Sequence, residues 1–412
     1  MSFASFDLHP SVLQAVEEKG YHQPTPIQLE AIPAILARRD VMAGAQTGTG
    51  KTAAFALPIL HLLTNPAPSA TAINKAVVRA LVLTPTRELA QQVGHSFKEY
   101  GSHSVHRTVV AYGGVSINNQ LAEIAQGVDI LVATPGRLID ILSRGVLDLS
   151  QLAFFVLDEA DRMLDMGFID DIRRILRTVP ETRQTLLFSA TFDDAVFKLS
   201  QKLLTDPARI QVDQQNAAAS QVEQIAYEVD KQRKREITSY LIGSKNWQQV
   251  LVFTRTKQAA DDLAREMCKD GLKTEAIHGD KSQGARERAL EGFKNGSIRV
   301  LVATDVASRG LDIQQLKYVI NYELPYNAED YIHRIGRTGR AGETGIAITL
   351  LSADETWLLD EIHKILDTQL MQQWLPGYEP DLNQNFAPPK SKGRGAKTRG
   401  SRGKPSGRSR RR

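Results

Sequence analysis

Residues 45–52 have the sequence AQTGTGKT, and this stretch sets the expectation for the rest of the chain. They follow a short apolar run, residues 40–43, and precede Ala53–Leu57, which favours a helix. A strand, a glycine-rich loop and a helix in this order cradle phosphates, because backbone N–H groups and the helix N-terminus face the ligand. Lys51 is then placed to reach the β- and γ-phosphates, and the Thr52 hydroxyl to hold Mg²⁺. The stretch predicts an ATP site, although Ala45 stands where the generic pattern has glycine.

A second motif, the acidic stretch at residues 158–161, directly follows the apolar run Phe154–Leu157. A carboxylate at the carboxyl end of a buried strand is well placed to bind Mg²⁺, largely through water, and Asp158 is the candidate. Glu159 is placed to orient or deprotonate the attacking water. The alternative is a helix N-terminus with solvated acids, which also favours Asp and Glu. The phosphate loop elsewhere in the chain favours the metal interpretation.

Continuous apolar runs alternate with longer helical stretches, a pattern typical of parallel strands covered on both faces. The predicted strands form two sets, 40–43, 80–83, 129–132, 154–157 and 185–188, then 250–253, 300–303, 318–321 and 346–349. The small polar stretch Asp213–Ser220 between the sets predicts a linker. We therefore predict two α/β domains at residues 1–207 and 223–375, a linker at 208–222 and a tail at 376–412. Near the end of the second domain, helical spacing predicts a packed helix with Trp357, Leu358, Ile362, Ile365 and Leu366.

Charge is distributed unevenly along the chain. The last 26 residues, 387–412, hold eleven Lys or Arg and no Asp or Glu, so the net charge of +4 becomes −7 for residues 1–386. This composition predicts a disordered basic tail that attracts a polyanion without reading its sequence. In the second predicted domain, glycines are spaced among the arginines of His333–Arg340. This spacing suggests a constrained loop whose arginines can neutralise charge on the γ-phosphate.

Neither a secretory signal nor a membrane span is predicted, because no apolar run approaches the ~20 residues that cross a bilayer. The single cysteine, Cys268, excludes a disulfide within the chain, which fits a reducing compartment. We expect Cys268 to be a small buried or half-buried side chain. The expectation is a soluble, cytoplasmic protein with no membrane partner.

Together these residues resemble the DEAD-box ATP-dependent RNA helicases, named after the tetrapeptide at 158–161. The resemblance covers roughly residues 3–375, and the family motifs occur in order. Besides residues 45–52, 158–161 and 333–340, the motifs are Pro85–Ala90, Gly113–Gly114, Thr134–Arg137, Ser189–Thr191, Val252–Thr256 and Ala303–Asp312. Upstream, Gly20–Gln28 with Phe3 ahead of it is similar to the family's adenine-reading motif.

The resemblance implies an α/β fold of two tandem RecA-like domains, each a mostly parallel sheet flanked by helices. ATP would lie between them, with Mg²⁺ as cofactor at Thr52 and Asp158. Nucleotide binding is implied for Phe3, Tyr21, Gln28, Ala45, Gln46, Thr47, Gly48, Thr49, Gly50, Lys51, Thr52 and Asp312. Gln28 would read the adenine edge, which suits an amide. Catalysis is implied for Lys51, Asp158, Glu159, Arg337 and Arg340, the last two as arginine fingers.

By the same resemblance, single-stranded RNA crosses both domains on a neighbouring face. The implied contacts are Arg87, Gly114, Thr134, Gly136, Arg137, Thr254, Arg255, Gly279, Arg286 and Thr304. These groups suit phosphate and 2′-OH contacts, so little sequence specificity is expected. Coupling between ATP and RNA is implied for Ser189, Thr191, Asp161 and His333.

The short N-terminus and basic tail are similar to the bacterial RhlE group of the family. Expected partners are RNA, single-stranded or in a short duplex, with ribosomal particles or RNA-decay proteins as further candidates. We expect a monomer that unwinds RNA locally. The motifs leave open an ATP-gated RNA clamp without processive unwinding, and a DNA-directed ATPase. They do not identify the physiological RNA.

Overall fold

Two seven-stranded, all-parallel sheets dominate the computed structural model of the protein. The structure describes residues 2–45, 49–64, 76–212, 222–308, 313, 316–339, 345–366 and 369–381. Parallel strands need crossover connections, and helices supply them on both faces of each sheet. The predicted fold class of two RecA-like domains is confirmed.

The first sheet has the strand order β4-β5-β3-β7-β8-β1-β9. Its domain contains β1 (Val41–Gly44), β2 (Ala76–Val77), β3 (Ala80–Leu83), β4 (Thr108–Ala111), β5 (Ile130–Ala133), β6 (Leu147–Asp148), β7 (Phe154–Leu157), β8 (Gln184–Ser189) and β9 (Ala208–Gln211), with β2 and β6 forming a separate pair. Its helices are α1 (Pro10–Glu18), α2 (Pro26–Leu36), α3 (Lys51–Thr64), α4 (Arg87–Tyr100), α5 (Ile117–Ala125), α6 (Pro135–Leu142), α7 (Ala160–Asp165), α8 (Ile169–Leu176) and α9 (Asp194–Leu203).

The second sheet has the order β12-β13-β11-β14-β15-β10-β16. Its strands are β10 (Val222–Glu228), β11 (Val250–Thr254), β12 (Thr274–Ile277), β13 (Val300–Thr304), β14 (Tyr318–Asn321), β15 (Gly345–Leu351) and β16 (Met371–Gln373). Its helices are α10 (Lys234–Ser244), α11 (Lys257–Lys269), α12 (Gln283–Lys294), α13 (Asp305–Ser308), α14 (Ala328–Ile335) and α15 (Thr356–Leu366).

Continuous apolar strands arise because each strand faces two cores. In β3, Ala80 and Val82 lie in the cluster under α1–α4, whereas Leu81 and Leu83 lie in the cluster under α5–α9. All four are fully buried. The same alternation leaves the carboxyl ends of the strands as the place where polar side chains can collect.

All the predicted strands are present. The strands that were not predicted lie mainly at sheet edges. β4 and β9 flank the first sheet, and β12 and β16 flank the second. Edge strands are covered less completely, so their sequences mix polar and apolar residues; in β9, only Ile210 of Ala208–Gln211 is buried. A search for continuous apolar runs does not detect such strands.

Both sheets, with the residues packed on them, extend beyond the predicted domain limits. β9 pairs with β1, so the first sheet continues past 207 to Gln211. The second sheet begins at Val222, and Leu375 and Tyr378 pack against its core, so that domain continues past 375. Residues 213–221 of the predicted linker and 382–412 of the predicted tail lie outside the described residues.

Two further expectations need correction. The helix near the C-terminus is present as α15, but its buried residues are Leu358, Leu359, Ile362 and Leu366, while Trp357 and Ile365 are 48% and 38% exposed. Cys268 is exposed rather than buried, with its thiol donating to the Thr274 carbonyl at 3.2 Å. Within the described ranges, no helix combines the length and apolar character that a membrane span needs.

Candidate functional site

The phosphate loop leaves β1 and enters α3. The Ala45 amide donates to the Ser189 carbonyl at 3.0 Å, which continues the pairing of β1 with β8. At the far end Gly50 has φ +93°, and a Cβ there would lie 2.4 Å from Nε2 of Gln28. Only glycine fits such a position without strain. Thr49 is described, whereas Gln46, Thr47 and Gly48 lie outside the described residues.

Lys51 and Asp158 present buried, incompletely bonded charges. Lys51 is 6% exposed, and its Nζ has no hydrogen-bond partner among the described residues. Asp158 follows β7 and is 2% exposed, with Oδ1 similarly without a partner in the described ranges. Burial raises the pKa of Asp158 to about 7, opposed by the charge of Lys51. Buried charges are costly unless a ligand completes their bonds, so the pair fits a triphosphate with Mg²⁺.

Glu159 has a backbone conformation that points to function. Its φ is +55°, in the left-handed region, and it stands at the N-terminus of α7. For a residue with a Cβ this conformation costs about 1–3 kcal/mol, and it persists where the surroundings fix it. The side chain is 5% exposed. The structure therefore holds this carboxylate next to Asp158 in a constrained, water-poor position.

The acidic motif is bonded directly to the segment after β8. The Asp161 amide donates to Ser189 Oγ at 3.3 Å, and the Ala190 amide donates to Asp161 Oδ2 at 3.3 Å. Ser189 is fully buried, and Thr191 is half-buried two residues further on. Ser189 and Asp161 are thus brought together as coupling residues would require, whereas Thr191 forms no hydrogen bond with the motif in the described part of the chain.

The predicted adenine motif begins α2. Gln28 closes a capping box: its Oε1 accepts from the Thr25 amide at 2.9 Å, and its Nε2 donates to the Gly50 carbonyl at 3.1 Å. The amide therefore links this helix to the phosphate loop. Tyr21 is 41% exposed, whereas Phe3 is 4% exposed and packs edge-on against Phe6. Tyr21 is thus accessible to solvent, whereas Phe3 lies in the core.

The predicted RNA residues of the first domain gather at the carboxyl ends of β3, β4 and β5. The Arg87 guanidinium packs against Gly114. Gly114 has φ +82°, and a Cβ there would lie 1.9 Å from a guanidinium nitrogen. Arg137 donates to Gln120 Oε1 at 2.7 Å and to the Val115 carbonyl at 2.9 Å, so it fixes the glycine loop. Thr134 is buried at the start of α6, and a Cβ at Gly136 would meet nothing within 4 Å.

The predicted RNA residues of the second domain lie at or just after the carboxyl ends of β11, β12 and β13, with Arg286 in α12. Thr254 is fully buried and Thr304 is 6% exposed. Gly279 is exposed, with Lys257 3.6 Å from where its Cβ would stand. Arg255 and Arg286 are both engaged in ion pairs with carboxylates.

The two arginines of residues 333–340 that the structure describes, Arg334 and Arg337, have different surroundings. Arg334, which the sequence did not single out, is 1% exposed and forms a two-pronged pair with Asp305 at 2.6 and 2.8 Å. It ties α14 to the end of β13. Arg337 and His333 are half-buried, at the exposed side of this packing. Arg340 and Asp312 lie outside the described residues.

Contacts between the domains were not predicted from sequence. Arg286 lies 2.7 Å from Glu88, and Arg162 lies 2.6 Å from Asp330. Gln91 adds a longer contact to Glu287 at 3.4 Å. Residues of different domains carry no periodic signal for their pairing, so only the fold reveals them. The described structure therefore has the two domains in contact.

Comparisons with known proteins agree with this geometry. The DEAD/DEAH box helicase family matches residues 25–199, and the helicase conserved C-terminal domain family matches residues 232–342. The chain is 45% identical over 387 residues to the ATP-dependent RNA helicase DeaD of Mycobacterium tuberculosis, covering 94% of this chain and 67% of that protein. It is 44% identical over 369 residues to the DEAD-box ATP-dependent RNA helicase RhpA of Helicobacter pylori, covering 90% and 73%.

Solved structures of related proteins contain RNA and nucleotides. S. cerevisiae Dbp5 bound to RNA and ADP BeF3 matches with TM-score 0.80 and 31% identity, covering 90% of this chain and 95% of that one. Mss116p bound to ssRNA and AMP-PNP matches with TM-score 0.81 and 28% identity, covering 92% and 79%.

Fold and site define a two-domain, RecA-like enzyme that acts on a nucleoside triphosphate. The chain belongs to the DEAD-box ATP-dependent RNA helicase family, whose members are RNA-dependent ATPases. The narrower RhlE grouping stays a prediction.

Proposed function

We propose that this chain couples ATP hydrolysis to closure of its two domains on single-stranded RNA, and so separates short duplexes or remodels RNA–protein complexes locally. The observation that carries the proposal is the buried pair of Lys51 Nζ and Asp158 Oδ1, both without a hydrogen-bond partner in the described part of the chain. Buried polar atoms without a hydrogen-bond partner destabilise the ligand-free protein. A bound phosphate and its metal ion would supply the missing partners.

Within this site each residue has a distinct proposed task. Lys51 binds the β- and γ-phosphates, and Thr52 and Asp158 would hold Mg²⁺, largely through water. The ion, when bound, neutralises phosphate charge. Glu159 orients the attacking water and accepts its proton. Arg337 and Arg340 come from the second domain to the γ-phosphate, so fast turnover requires the domains to meet.

RNA enters the cycle through closure. The carboxyl ends of both sheets carry the proposed RNA contacts, so one strand can bridge the domains only while they are together. ATP and RNA then favour the same closed state, and hydrolysis reopens it. A bent single strand fits this path better than a regular duplex, which accounts for local strand separation. Cytoplasmic location, a monomeric state and ribosomal or RNA-decay partners remain proposals from the sequence.

The test is ATP hydrolysis by the full chain with no nucleic acid, with a single-stranded RNA and with DNA of the same sequence, beside displacement of a short RNA duplex. We expect RNA to stimulate hydrolysis, DNA to do so far less, and ATP to drive displacement. Lys51→Ala serves as the inactive control. Equal stimulation by DNA would favour a DNA-directed ATPase. RNA stimulation without displacement would favour an ATP-gated clamp.

A further inference from the structure

Tyr326 is the most exposed aromatic side chain in the described ranges, at 71%. It lies in the connection between β14 and α14 and has no role in the proposed ATP chemistry. The guanidinium carbon of Arg255 lies 4.9 Å from its ring centroid, a cation–π distance. One face of the ring is thus supported, and the high exposure leaves the opposite face for solvent or a ligand.

Arg255 itself is held from behind. Its Nη2 lies 2.9 Å from Glu355 and 3.5 Å from Glu323, and its amide donates to Glu323 at 2.8 Å. Glu355 is 1% exposed and also pairs with the buried Lys234. The Arg255 side chain is only 12% exposed. Withdrawing it to reach a phosphate would leave the buried Glu355 carboxylate without one of its cationic partners, which is unfavourable.

The four charges, Lys234, Arg255, Glu323 and Glu355, therefore form one fixed cluster. Lys234 Nζ also donates to the Leu350 carbonyl at 2.6 Å and the Tyr322 carbonyl at 3.1 Å, which joins the cluster to β15 and to the connection after β14. Instead of serving as a loose phosphate contact, Arg255 is a rigid support under the Tyr326 ring.

The sheet order places this ring beside the proposed RNA path. Gly279 follows β12, Thr304 ends β13 and Thr254 ends β11, and these strands are neighbours in that order. β14 is the next strand after β11, about 4.8 Å further across the sheet. A strand of RNA that crosses the carboxyl ends of these three strands meets the connection after β14 next, and Tyr326 is the exposed aromatic residue of that connection.

We propose that Tyr326 stacks on one base of the bound RNA, with Arg255 as the positioning residue beneath it. The ligand is a single-stranded ribonucleotide segment; any base qualifies, because every base has a π-face. The inference rests on the RNA-binding part of the proposed function. It adds a contact to a base, whereas the other predicted contacts are to phosphate and ribose.

The experiment measures binding of the full chain to a single-stranded RNA in the presence of a non-hydrolysable ATP analogue. We expect Tyr326→Ala to weaken binding about tenfold, in line with one lost base–aromatic stack, and Tyr326→Phe to bind like the unaltered protein. Trp357→Ala, which removes an aromatic residue 48% exposed on α15, is the matched control and should have no effect. Thermal unfolding should be the same for all four proteins.

A scan with an RNA that lacks one base locates the contact. As the abasic nucleotide is moved along the strand, the RNA affinity of the unaltered protein should fall at one position. The RNA affinity of Tyr326→Ala should not change when the base is missing at that position. Identical scans for the two proteins would overturn the proposal. If the unaltered protein shows no RNA-stimulated hydrolysis, the proposed function fails; if it does and the scans are identical, only the stacking contact fails.

Discussion

Arg286 of the second domain and Glu88 of the first form an ion pair at 2.7 Å, and each side chain is only 9% exposed. Arg286 was expected to contact RNA, and Glu88 belongs to a motif expected to do the same. The structure joins them to each other across the domain boundary. Burial lowers the pKa of Arg286, and the charge of Glu88 opposes that effect. The pair therefore stabilises the contact between the two domains only while both partners are present.

Removing one partner should weaken closure. Either Glu88→Ala or Arg286→Ala leaves a charge that closure would bury unpaired, so we expect RNA affinity with an ATP analogue to fall about tenfold or more. The exchange Glu88→Arg with Arg286→Glu should recover part of the loss. RNA affinity measured by fluorescence anisotropy checks this.

The control for these variants is an exposed ion pair of the second domain. Arg265→Ala removes the contact to Asp262 on α11, where the arginine is 61% exposed, and should leave affinity unchanged. If the double exchange binds no better than the worse single variant, Arg286 acts through RNA and not through Glu88.

Glu159→Gln should separate binding from turnover. The amide is close to the carboxylate in shape but cannot accept the proton of the attacking water, so we expect ATP and RNA binding within about twofold and hydrolysis reduced by about 10²–10⁴. Nucleotide binding and RNA-stimulated phosphate release measure the two effects. Normal phosphate release from this variant would remove Glu159 from the proposed mechanism.

Gly50→Ala should disrupt the phosphate loop. The residue has φ +93°, and the added Cβ would meet Gln28 Nε2 at 2.4 Å, so the loop or the amide has to shift. We expect ATP affinity to fall at least tenfold. Gly145→Ala is the matched control: its φ is +67°, but a Cβ meets nothing within 4 Å. It should lower stability by about 1 kcal/mol and leave ATP affinity unchanged.

The motifs could be found from sequence because each lies within a few residues and repeats a local pattern. The central strands and the phosphate loop belong to this class. Long-range pairings were not accessible: nothing near Arg334 predicts Asp305, and nothing near Arg255 predicts Glu355. In the second case an arginine, a residue type suited to phosphate, forms ion pairs with two carboxylates, and its contact with RNA stays a prediction. Local sequence gives the type of side chain, and the fold decides what it contacts.

Glu329 should make closure dependent on pH. Burial, then Asp161 and Asp193 of the first domain, raise its pKa, and Arg162 opposes them. A carboxyl with a raised pKa favours the closed state when protonated, so closure is helped as pH falls and penalised once Glu329 ionises. Glu329→Gln should therefore tighten RNA binding with an ATP analogue at pH 8 by about twofold, because partial exposure screens the repulsion.

The gain in RNA affinity from Glu329→Gln should shrink as pH falls towards the range in which carboxyl groups become protonated. RNA affinities of the two proteins between pH 5.5 and 8 measure it. Glu361→Gln, at a glutamate 53% exposed on α15, controls for loss of one negative charge. An advantage that is constant with pH would mean that the substitution acts by some route other than the ionisation of Glu329.

The basic C-terminal residues should add affinity that salt removes. Residues 387–412 carry eleven Lys or Arg without an acidic residue. Each phosphate that they neutralise adds about 0.7 to the slope of log affinity against log salt for a single strand. Truncation after residue 386 should therefore weaken RNA binding at low salt and make the slope shallower, with the two proteins converging as salt rises. A chain of the same length with the eleven residues changed to Gln separates charge from length. An unchanged slope in both variants would show that these residues do not contact RNA.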